Sequence, residues 1–156
     1  MEISEMLSNE MIFLDIPGKT KEAVIRNLIN RVTEKKAVFR DPNAFYEEVL
    51  ERERLGSTGI GEGVAIPHSR TDNVKDMIIV FARTANPINF NSDDKRPVRL
   101  LFMIAVPVRG LKSYLTTLAK ISRIVRQEKV RQMLLKAVSP DEVISIIQRA
   151  EKETSN

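Results

Sequence analysis

The segment from Gly56 to His68, GSTGIGEGVAIPH, constrains the fold of this chain more than any other feature. It contains four of the six glycines and the only histidine among 156 residues. Glycines at this density require a backbone that turns tightly or lies close to another group. We expect Val64 to Pro67 to form a short buried strand that presents His68 at its carboxyl end. Pro67 fixes its own φ and has no N–H, so the chain should leave this strand at a defined angle.

A lone imidazole beside a glycine-rich loop predicts phosphoryl or proton chemistry at His68. Neutral imidazole is a nucleophile toward phosphorus near pH 7, and a transferred phosphoryl group needs cations and N–H donors around it. Ser57, Thr58 and Gly59 offer hydroxyl and amide groups just before the histidine. Three arginines lie close in sequence: Arg52, Arg54 and Arg70. The alternative is a packed, hydrogen-bonded histidine with a structural role only.

The sequence does not match the other protein classes that have glycine-rich loops or catalytic serines. A dinucleotide fingerprint has its glycines after a strand and before a helix, and here that order is reversed. A phosphate-binding P-loop ends in Gly-Lys-Ser/Thr, which is absent. Ser57 and Ser69 are not in a nucleophile-elbow pattern, so a serine hydrolase is not indicated. With no cysteine and one histidine, a zinc site built by the protein and disulfides are not expected, and no cofactor is predicted.

The net charge of +4 raises the question of nucleic acid. Between Arg109 and Lys136 there are eight basic residues and one acid, Glu128, but Tyr114 is the only aromatic residue there. Stacking platforms and known nucleic-acid motifs are therefore absent, and no nucleic-acid partner is expected. Two interpretations stay open: a solvated helix face, or a docking surface for an acidic or phosphorylated partner, with Arg109 and Lys112 at its rim.

No apolar run approaches the ~20 residues of a membrane span. The amino terminus is acidic and lacks the order of charge and apolarity of a signal peptide. We therefore expect a cytoplasmic protein without membrane insertion.

Apolar spacing predicts strands that alternate with helices. The predicted strands are Ile12–Ile16, Val64–Pro67, Met77–Ala82 and Val98–Val106. Five helices are predicted. The first starts at Thr20, and the second starts at Asp41-Pro42 and ends near Leu55. The others are Leu111–Val125, about Lys129–Ala137, and Ser139 to about Ala150, after which the tail frays. One stripe of the Leu111–Val125 helix is predicted to hold Leu111, Leu115, Leu118, Ser122 and Val125. The fold class is α/β, a single three-layer domain over residues 1–156 with a mixed central β-sheet flanked by α-helices.

A longer pattern surrounds the glycine-rich segment and covers essentially the whole chain. Its members are Leu50, Arg52, Glu53, Ser57–Gly61, Gly63, Ala65–His68, Pro97, Val98, Leu100–Pro107, Leu115, Leu118 and Ala119. This pattern resembles the EIIA domains of the fructose/mannitol class of the bacterial phosphoenolpyruvate-dependent sugar phosphotransferase system, a class that includes nitrogen-regulatory EIIA proteins.

The resemblance implies an α/β domain in which His68 is phosphorylated by a small HPr-type histidine phosphocarrier. Arg52 corresponds to a cation that supports the phosphoryl group, with further support expected from Ser57, Thr58 and Gly59. Transport members of the family pass the group to an EIIB domain, and regulatory members act on other proteins such as a kinase or a transporter.

One position departs from the family pattern. Many members have a second histidine seven residues after the proline that ends the LLFxIAVP strand; here that proline is Pro107, and Tyr114 stands in the place of the histidine. A tyrosine hydroxyl can donate one hydrogen bond to a phosphate oxygen, but with a reference pKa of about 10 it supplies no cation. We expect phosphorylation of His68 to survive this change and onward transfer to be slow.

Three hypotheses follow. The first is a phosphoryl carrier, an enzyme in the broad sense, that acts mainly as a regulator like nitrogen-regulatory EIIA proteins. The second is a sugar-specific EIIA that serves a fructose- or mannitol-type EIIB. The third is a regulatory binding module without catalysis.

Overall fold

A computed structural model describes residues 1–154; the end of the predicted frayed tail, Ser155 and Asn156, lies outside the described residues. Six strands form one sheet in this part of the chain. They are β1 (Ile12–Ile16), β2 (Gly59–Gly61), β3 (Val64–Ala65), β4 (His68–Thr71), β5 (Ile78–Ile88) and β6 (Val98–Pro107). The α-helices are α1 (Ile3–Met6), α2 (Lys21–Lys35), α3 (Pro42–Leu55), α4 (Leu111–Val125), α5 (Glu128–Lys136) and α6 (Pro140–Thr154).

The sheet is mixed and β6 is its centre. On one edge β6 pairs antiparallel with β5, which in turn pairs parallel with β1. On the other edge β6 pairs parallel with β3 and then with β4, while β2 pairs antiparallel with β3. The sheet confirms the predicted α/β class with a mixed central sheet.

Side chains of β6 alternate between two hydrophobic cores, as the two-residue period of a strand requires. Phe102 and Ile104 pack into the core formed with α1, α4, α5 and α6. Leu101 and Met103 pack into the core formed with α2 and α3. Helices therefore cover both faces of the sheet, and the run from Leu100 to Val106 is buried throughout.

The predicted helix starts are confirmed by their caps. The Thr20 side chain accepts a hydrogen bond from the Ala23 N–H at 3.1 Å, and the Asp41 side chain accepts one from the Ala44 N–H at 3.1 Å. Before α6, the Ser139 hydroxyl oxygen accepts from the Glu142 N–H at 3.2 Å. These side chains pair N–H groups that have no partner within the helix.

The expected strand Val64–Pro67 is wrong in its extent. Only Val64 and Ala65 form β3, and His68 is the first residue of a separate strand, β4, rather than the residue after a strand. Pro67 is the physical reason, because it has no N–H to donate to the ladder, although its carbonyl still accepts from the Ile104 N–H at 3.0 Å.

Two other boundaries differ from prediction. Strand β5 continues to Ile88, with an irregular register between Arg83 and Ile88 that accommodates Pro87. Helix α6 continues to Thr154 instead of fraying after Ala150, and its Glu151 carboxylate accepts hydrogen bonds from the backbone N–H groups at the start of α1. Tertiary contacts thus extend both elements beyond their local sequence signals.

The predicted stripe of α4 is right only in part: Val125 is buried and Leu118 packs against the core, but the rest of the face differs. The buried face consists of Tyr114, Thr117, Ile121, Ile124 and Val125. Leu111 and Leu115 are instead 44% and 54% exposed. Leucine spacing alone misassigned the first turns of the helix, because Tyr114 and Thr117 face inward, against His68 and Met77.

The glycine-rich segment forms the β2–β3 hairpin. Its turn residues, Glu62 and Gly63, have φ values of 58° and 80°, the sign that tight two-residue hairpins require. Gly59 has no such φ, but a Cβ at this position would overlap the Ser92 hydroxyl oxygen. Gly59 is therefore required for close approach and not for its backbone conformation.

We expect Gly59→Ala to lower the free energy of unfolding by about 1–3 kcal/mol, because the new methyl group is forced into occupied space. Urea denaturation measures this change. In the double variant Gly59→Ala/Ser92→Ala part of the loss should return, since the Ser92 hydroxyl oxygen is buried without a hydrogen-bond partner among residues 1–154. Equal stabilities of the single and double variants would contradict the steric explanation.

Candidate functional site

The imidazole of His68 is fixed by its own backbone neighbourhood. Its residue pairs with Ile104 of β6, and its Nδ1 lies 2.8 Å from the carbonyl oxygen of Ile66. Because a carbonyl oxygen only accepts hydrogen bonds, Nδ1 carries a proton. In the neutral ring the lone pair available for chemistry is therefore on Nε2.

Tyr114, on α4, forms a hydrogen bond with that nitrogen. Its Oη lies 2.6 Å from His68 Nε2, and the two ring centroids are 4.9 Å apart. Since Nε2 of the neutral ring can only accept, the tyrosine hydroxyl donates this bond. Burial raises the pKa of Tyr114, against a smaller opposing effect of the Arg52 charge, so the phenol stays protonated at neutral pH.

The pKa of His68 is lowered from its ordinary value of 6.5. Burial of the half-buried ring is the largest cause; the Ile66 carbonyl and the Glu53 carboxylate oppose it, while the positive charge of Arg52 adds to it. At pH 7 the ring is accordingly neutral, the form that can attack phosphorus.

Arg52 stands in the last turn of α3, next to the glycine-rich segment. Its Nη1 donates a 2.7 Å hydrogen bond to the carbonyl oxygen of Gly56, and its charge acts on both His68 and Tyr114. Arg54, by contrast, pairs with Glu51 on the exposed side of the helix. Arg70 is exposed on β4. The structure thus brings Arg52 to the histidine, as the motif predicted, and turns Arg54 away.

The polar groups of residues 57–59 bond to one another and to Phe90 and Glu53. The Ser57 hydroxyl donates to the Phe90 carbonyl oxygen and accepts from the Gly59 N–H at 2.9 Å. The Thr58 hydroxyl donates to the Glu53 carboxylate. In this state they shape the segment that precedes His68 and do not contact its ring.

Glu53 is a site residue whose role the sequence analysis missed. It is 6% exposed, accepts from the Thr58 N–H at 3.3 Å and forms an ion pair with Lys21 at 3.3 Å. Buried carboxylates of this kind require such partners. The signal was present in the sequence, since Glu53 follows Arg52 in the family pattern, but nothing local showed that its side chain anchors the loop.

Arg109 and Lys112 lie on the surface near the start of α4. Arg109 lines a cleft of about 670 Å³ together with segments 37–40 and 71–75, beyond the carboxyl ends of β4 and β6. His68 does not line that cleft. Leu111 and Leu115, in the part of α4 that carries Tyr114, are exposed, and so is the basic residue Lys112 in the same turn.

Residues 1–154 contain no group of three histidine, cysteine or acidic side chains placed to hold a metal ion. None of the helices described for this chain has the length and apolar character to cross a membrane.

Comparison with known proteins agrees with this architecture. Residues 5–150 match the family "Phosphoenolpyruvate-dependent sugar phosphotransferase system, EIIA 2". This chain therefore belongs to the EIIA type 2 family of the sugar phosphotransferase system.

Two relatives in this family carry fructose-specific names. The chain is 38% identical over 146 residues to a fructose-specific EIIA component of Haloferax volcanii, covering 94% of each protein. It is also 38% identical over 152 residues to the fructose-specific EIIABC component of Bacillus subtilis, covering 97% of this chain but only 24% of that longer protein.

Two solved structures share the fold. The nitrogen regulatory protein IIA-Ntr of Neisseria meningitidis has a TM-score of 0.84 and 32% identity, covering 93% of this chain and 98% of that one. Enzyme IIA for mannitol from Escherichia coli, solved in complex with phosphorylated enzyme IIB, has a TM-score of 0.76 and 26% identity, covering 92% and 97%. Sugar-specific and nitrogen-regulatory proteins are thus both similar to this chain.

The lowered pKa of His68 predicts a pH-dependent stability. Between the folded pKa and the unfolded value of 6.5 the unfolded chain binds more protons. This contribution to the free energy of unfolding is therefore complete above about pH 6.5 and is lost as the pH falls through that window. Urea denaturation of the wild type and of His68→Gln between about pH 8 and pH 5 isolates it, because the variant lacks the titrating group.

The single histidine also gives an unambiguous NMR titration. We expect its midpoint below 6.5, the ordinary value for the side chain. A midpoint above that value, or the same pH dependence of stability in His68→Gln, would show that the buried ring does not resist protonation.

Proposed function

We propose that this protein accepts a phosphoryl group on Nε2 of His68 from an HPr-type histidine phosphocarrier and acts mainly as a regulator. The observation that carries this proposal is the fixed tautomer of the only histidine. Nδ1 donates to Ile66 and leaves the lone pair on Nε2, in a ring whose pKa is lowered. Membership of the EIIA family supports the same chemistry. The phosphocarrier unit is proposed to span residues 1–156.

The transfer needs no proton movement. The Nε2 lone pair of His68 forms the new N–P bond, and the electron pair of the broken N–P bond stays on the donor's nitrogen. The positive charge of the phosphorylated ring passes from the donor imidazole to His68, where the Ile66 carbonyl stabilises the Nδ1–H. Arg52 is proposed to release Gly56 and to bind phosphoryl oxygens through its planar fork of N–H groups.

The donor is proposed to dock on the surface beside Tyr114. Leu111 and Leu115 offer exposed apolar area, and Arg109 and Lys112 supply positive charge at its rim. An apolar centre with a charged rim is typical of transient protein–protein interfaces. This favours the docking interpretation of the basic segment over a merely solvated helix face. No nucleic acid, cofactor or membrane insertion is part of the proposal, and the location is cytoplasmic.

Regulation is favoured over transport by Tyr114. A carrier in a sugar pathway must discharge quickly to an EIIB domain, whereas a carrier that keeps its phosphoryl group reports the phosphorylation state of its donor. The neutral phenol supplies no cation for the discharge step. The regulated target in this proposal is a separate protein such as a kinase or a transporter.

Sugar transport is the second candidate, and one observation favours it. The two fructose-named relatives are 38% identical to this chain, while the nitrogen-regulatory structure is 32% identical. In that case the acceptor is a fructose- or mannitol-type EIIB. A binding module without catalysis remains the third alternative, and it predicts no phosphorylation at all.

The first test is phosphorylation by phosphoenolpyruvate with the general phosphotransferase proteins of the host. We expect the wild type to gain one acid-labile, base-stable phosphoryl group by intact-mass analysis. Variant His68→Ala should gain none, because it removes the only imidazole. A phosphoryl group that is still gained by His68→Ala would contradict the assignment of His68 as the phosphorylated residue. A wild type that gains none would favour the binding module.

The second test concerns Arg52. We expect Arg52→Ala to slow phosphoryl acceptance on the order of a hundredfold, the effect typical of losing one charged contact in a transition state. Arg54→Ala is the matched control, since that side chain pairs with Glu51 away from the site. Equal rates in both folded variants would show that Arg52 only anchors the Gly56 carbonyl.

The third test separates regulation from transport. Phosphorylated wild type and Tyr114→His are mixed with a cognate or heterologous EIIB, and the loss of the phosphoryl group is followed by quenched-flow. We expect slow discharge from the wild type and faster discharge from the variant. Fast wild-type discharge that histidine does not improve would instead favour the sugar-specific EIIA.

A further inference from the structure

Tyr114 occupies the nitrogen that phosphorylation requires. Its hydroxyl lies 2.6 Å from His68 Nε2, and this nitrogen has a single lone pair, in the plane of the ring. The line along which that hydroxyl donates is also the line along which phosphorus must approach. In the unphosphorylated protein the nucleophile is therefore capped by a hydrogen bond.

The imidazole itself cannot turn away from the cap without losing other bonds. Nδ1 is held by the Ile66 carbonyl at 2.8 Å, and the His68 backbone lies in β4 against Ile104 of β6. The Nδ1 bond therefore holds the ring, and the strand holds the backbone that carries it. The group that has to move before transfer is the tyrosine hydroxyl.

The attachment of Tyr114 allows a small movement. The ring belongs to the core and is 8% exposed, so it stays anchored. It lies in the first turn of α4, which starts after Gly110 without a side-chain cap. Leu111 and Lys112 in the same turn are exposed, so a docked partner bears directly on the segment that carries the hydroxyl.

We propose that the Tyr114 hydroxyl is an exchangeable cap: it donates to Nε2 before phosphoryl transfer and to a phosphoryl oxygen afterwards. This inference rests on the proposed function. No covalent bond to the tyrosine forms or breaks, and its proton remains on the phenol oxygen, because burial keeps the group neutral. The N–P bond forms at Nε2 as described above, and the electron pair of the cleaved bond stays on the donor.

An exchangeable cap has a kinetic signature. Both end states contain a hydrogen bond from the hydroxyl, but in the transition state the first bond has been lost and the second is incomplete. The cap therefore slows both acceptance and discharge. A hydrogen bond of ordinary net strength, such as the one to Nε2, corresponds to about fivefold in the rate of acceptance. The bond to a charged phosphoryl oxygen is stronger, so discharge is slowed by a larger factor.

Tyr114→Phe removes the hydroxyl and keeps the ring. We expect the forward rate of phosphoryl exchange with the HPr-type carrier to rise about fivefold and the reverse rate to rise by more, because the bond lost from the phosphorylated state is charge-assisted. Tyr46→Phe is the matched control, because Tyr46 is the only other tyrosine, is equally buried at 8%, and packs on Arg26 instead of His68. Its rates should equal those of the wild type.

The imidazole NMR signal provides a readout without any donor. Protonation of Nε2 breaks the bond that the hydroxyl donates and makes the phenol oxygen the acceptor, so Tyr114→Phe should change the pKa of His68. The charged groups that act on the ring from α3, Arg52 and Glu53, are unchanged in this variant. Tyr46→Phe should leave the titration as it is.

The outcomes separate the cap from the function. Slower exchange in both directions would mean that the hydroxyl stabilises the transition state, and unchanged rates with an unchanged titration would mean that Tyr114 is only packed; either result overturns the cap. If wild type accepts nothing from the carrier, phosphoramidate replaces it as a small donor that needs no docking. If the protein accepts a phosphoryl group from phosphoramidate but not from the carrier, the proposed donor is contradicted, and the rates with phosphoramidate still test the cap. If it accepts from neither donor, the proposed function and the cap are both overturned.

Discussion

The break between β3 and β4 determines the geometry of the whole site. Both strands pair with the same edge of β6, and Pro67 between them cannot donate to the ladder. The Ile66 carbonyl accepts a hydrogen bond from the Nδ1–H of the His68 ring two residues later. That bond fixes the tautomer, and the tautomer places the lone pair on the side of Tyr114. A residue with an N–H in place of Pro67 would favour one continuous strand. In that strand a ladder N–H would compete with the His68 ring for the Ile66 carbonyl.

The sequence predicted those parts of the fold that have local chemical causes. Helix starts at Thr20, Asp41 and Ser139 follow from short side-chain oxygens that cap free N–H groups, and all three appear in the structure. The continuation of α6 to Thr154 depends on Glu151 meeting the first turn of α1, a contact across almost the whole chain. Such contacts have no signature in a local window, which is why the helix end was placed too early.

The site shows the same division. The sequence pattern pointed to His68 and Arg52, and the structure brings them together. It also placed Tyr114 by counting from Pro107, and this position does face the imidazole. The hydroxyls of Ser57 and Thr58 were expected at the phosphoryl group, but each already has an acceptor, the Phe90 carbonyl oxygen and the Glu53 carboxylate respectively. Residue type and spacing show which groups are available; only the fold shows which are already bonded.

The replacement of a second histidine by Tyr114 leaves Arg52 with a larger electrostatic role at the site. A histidine in the place of Tyr114 could share the positive charge that a phosphoryl group requires, whereas the buried phenol stays neutral. Arg54 points away toward Glu51, and Lys21 is engaged with the buried Glu53. Arg52 is then the cation whose charge acts on both rings of the site. If His68 carries a phosphoryl group as proposed, the guanidinium has to offset its negative charge, the Ile66 carbonyl stabilises the positive ring through Nδ1–H, and Tyr114 contributes a hydrogen bond without charge. Under the proposed function, a carrier with one cation and one neutral hydrogen-bond donor at its phosphohistidine is better suited to keep its phosphoryl group than to release it quickly.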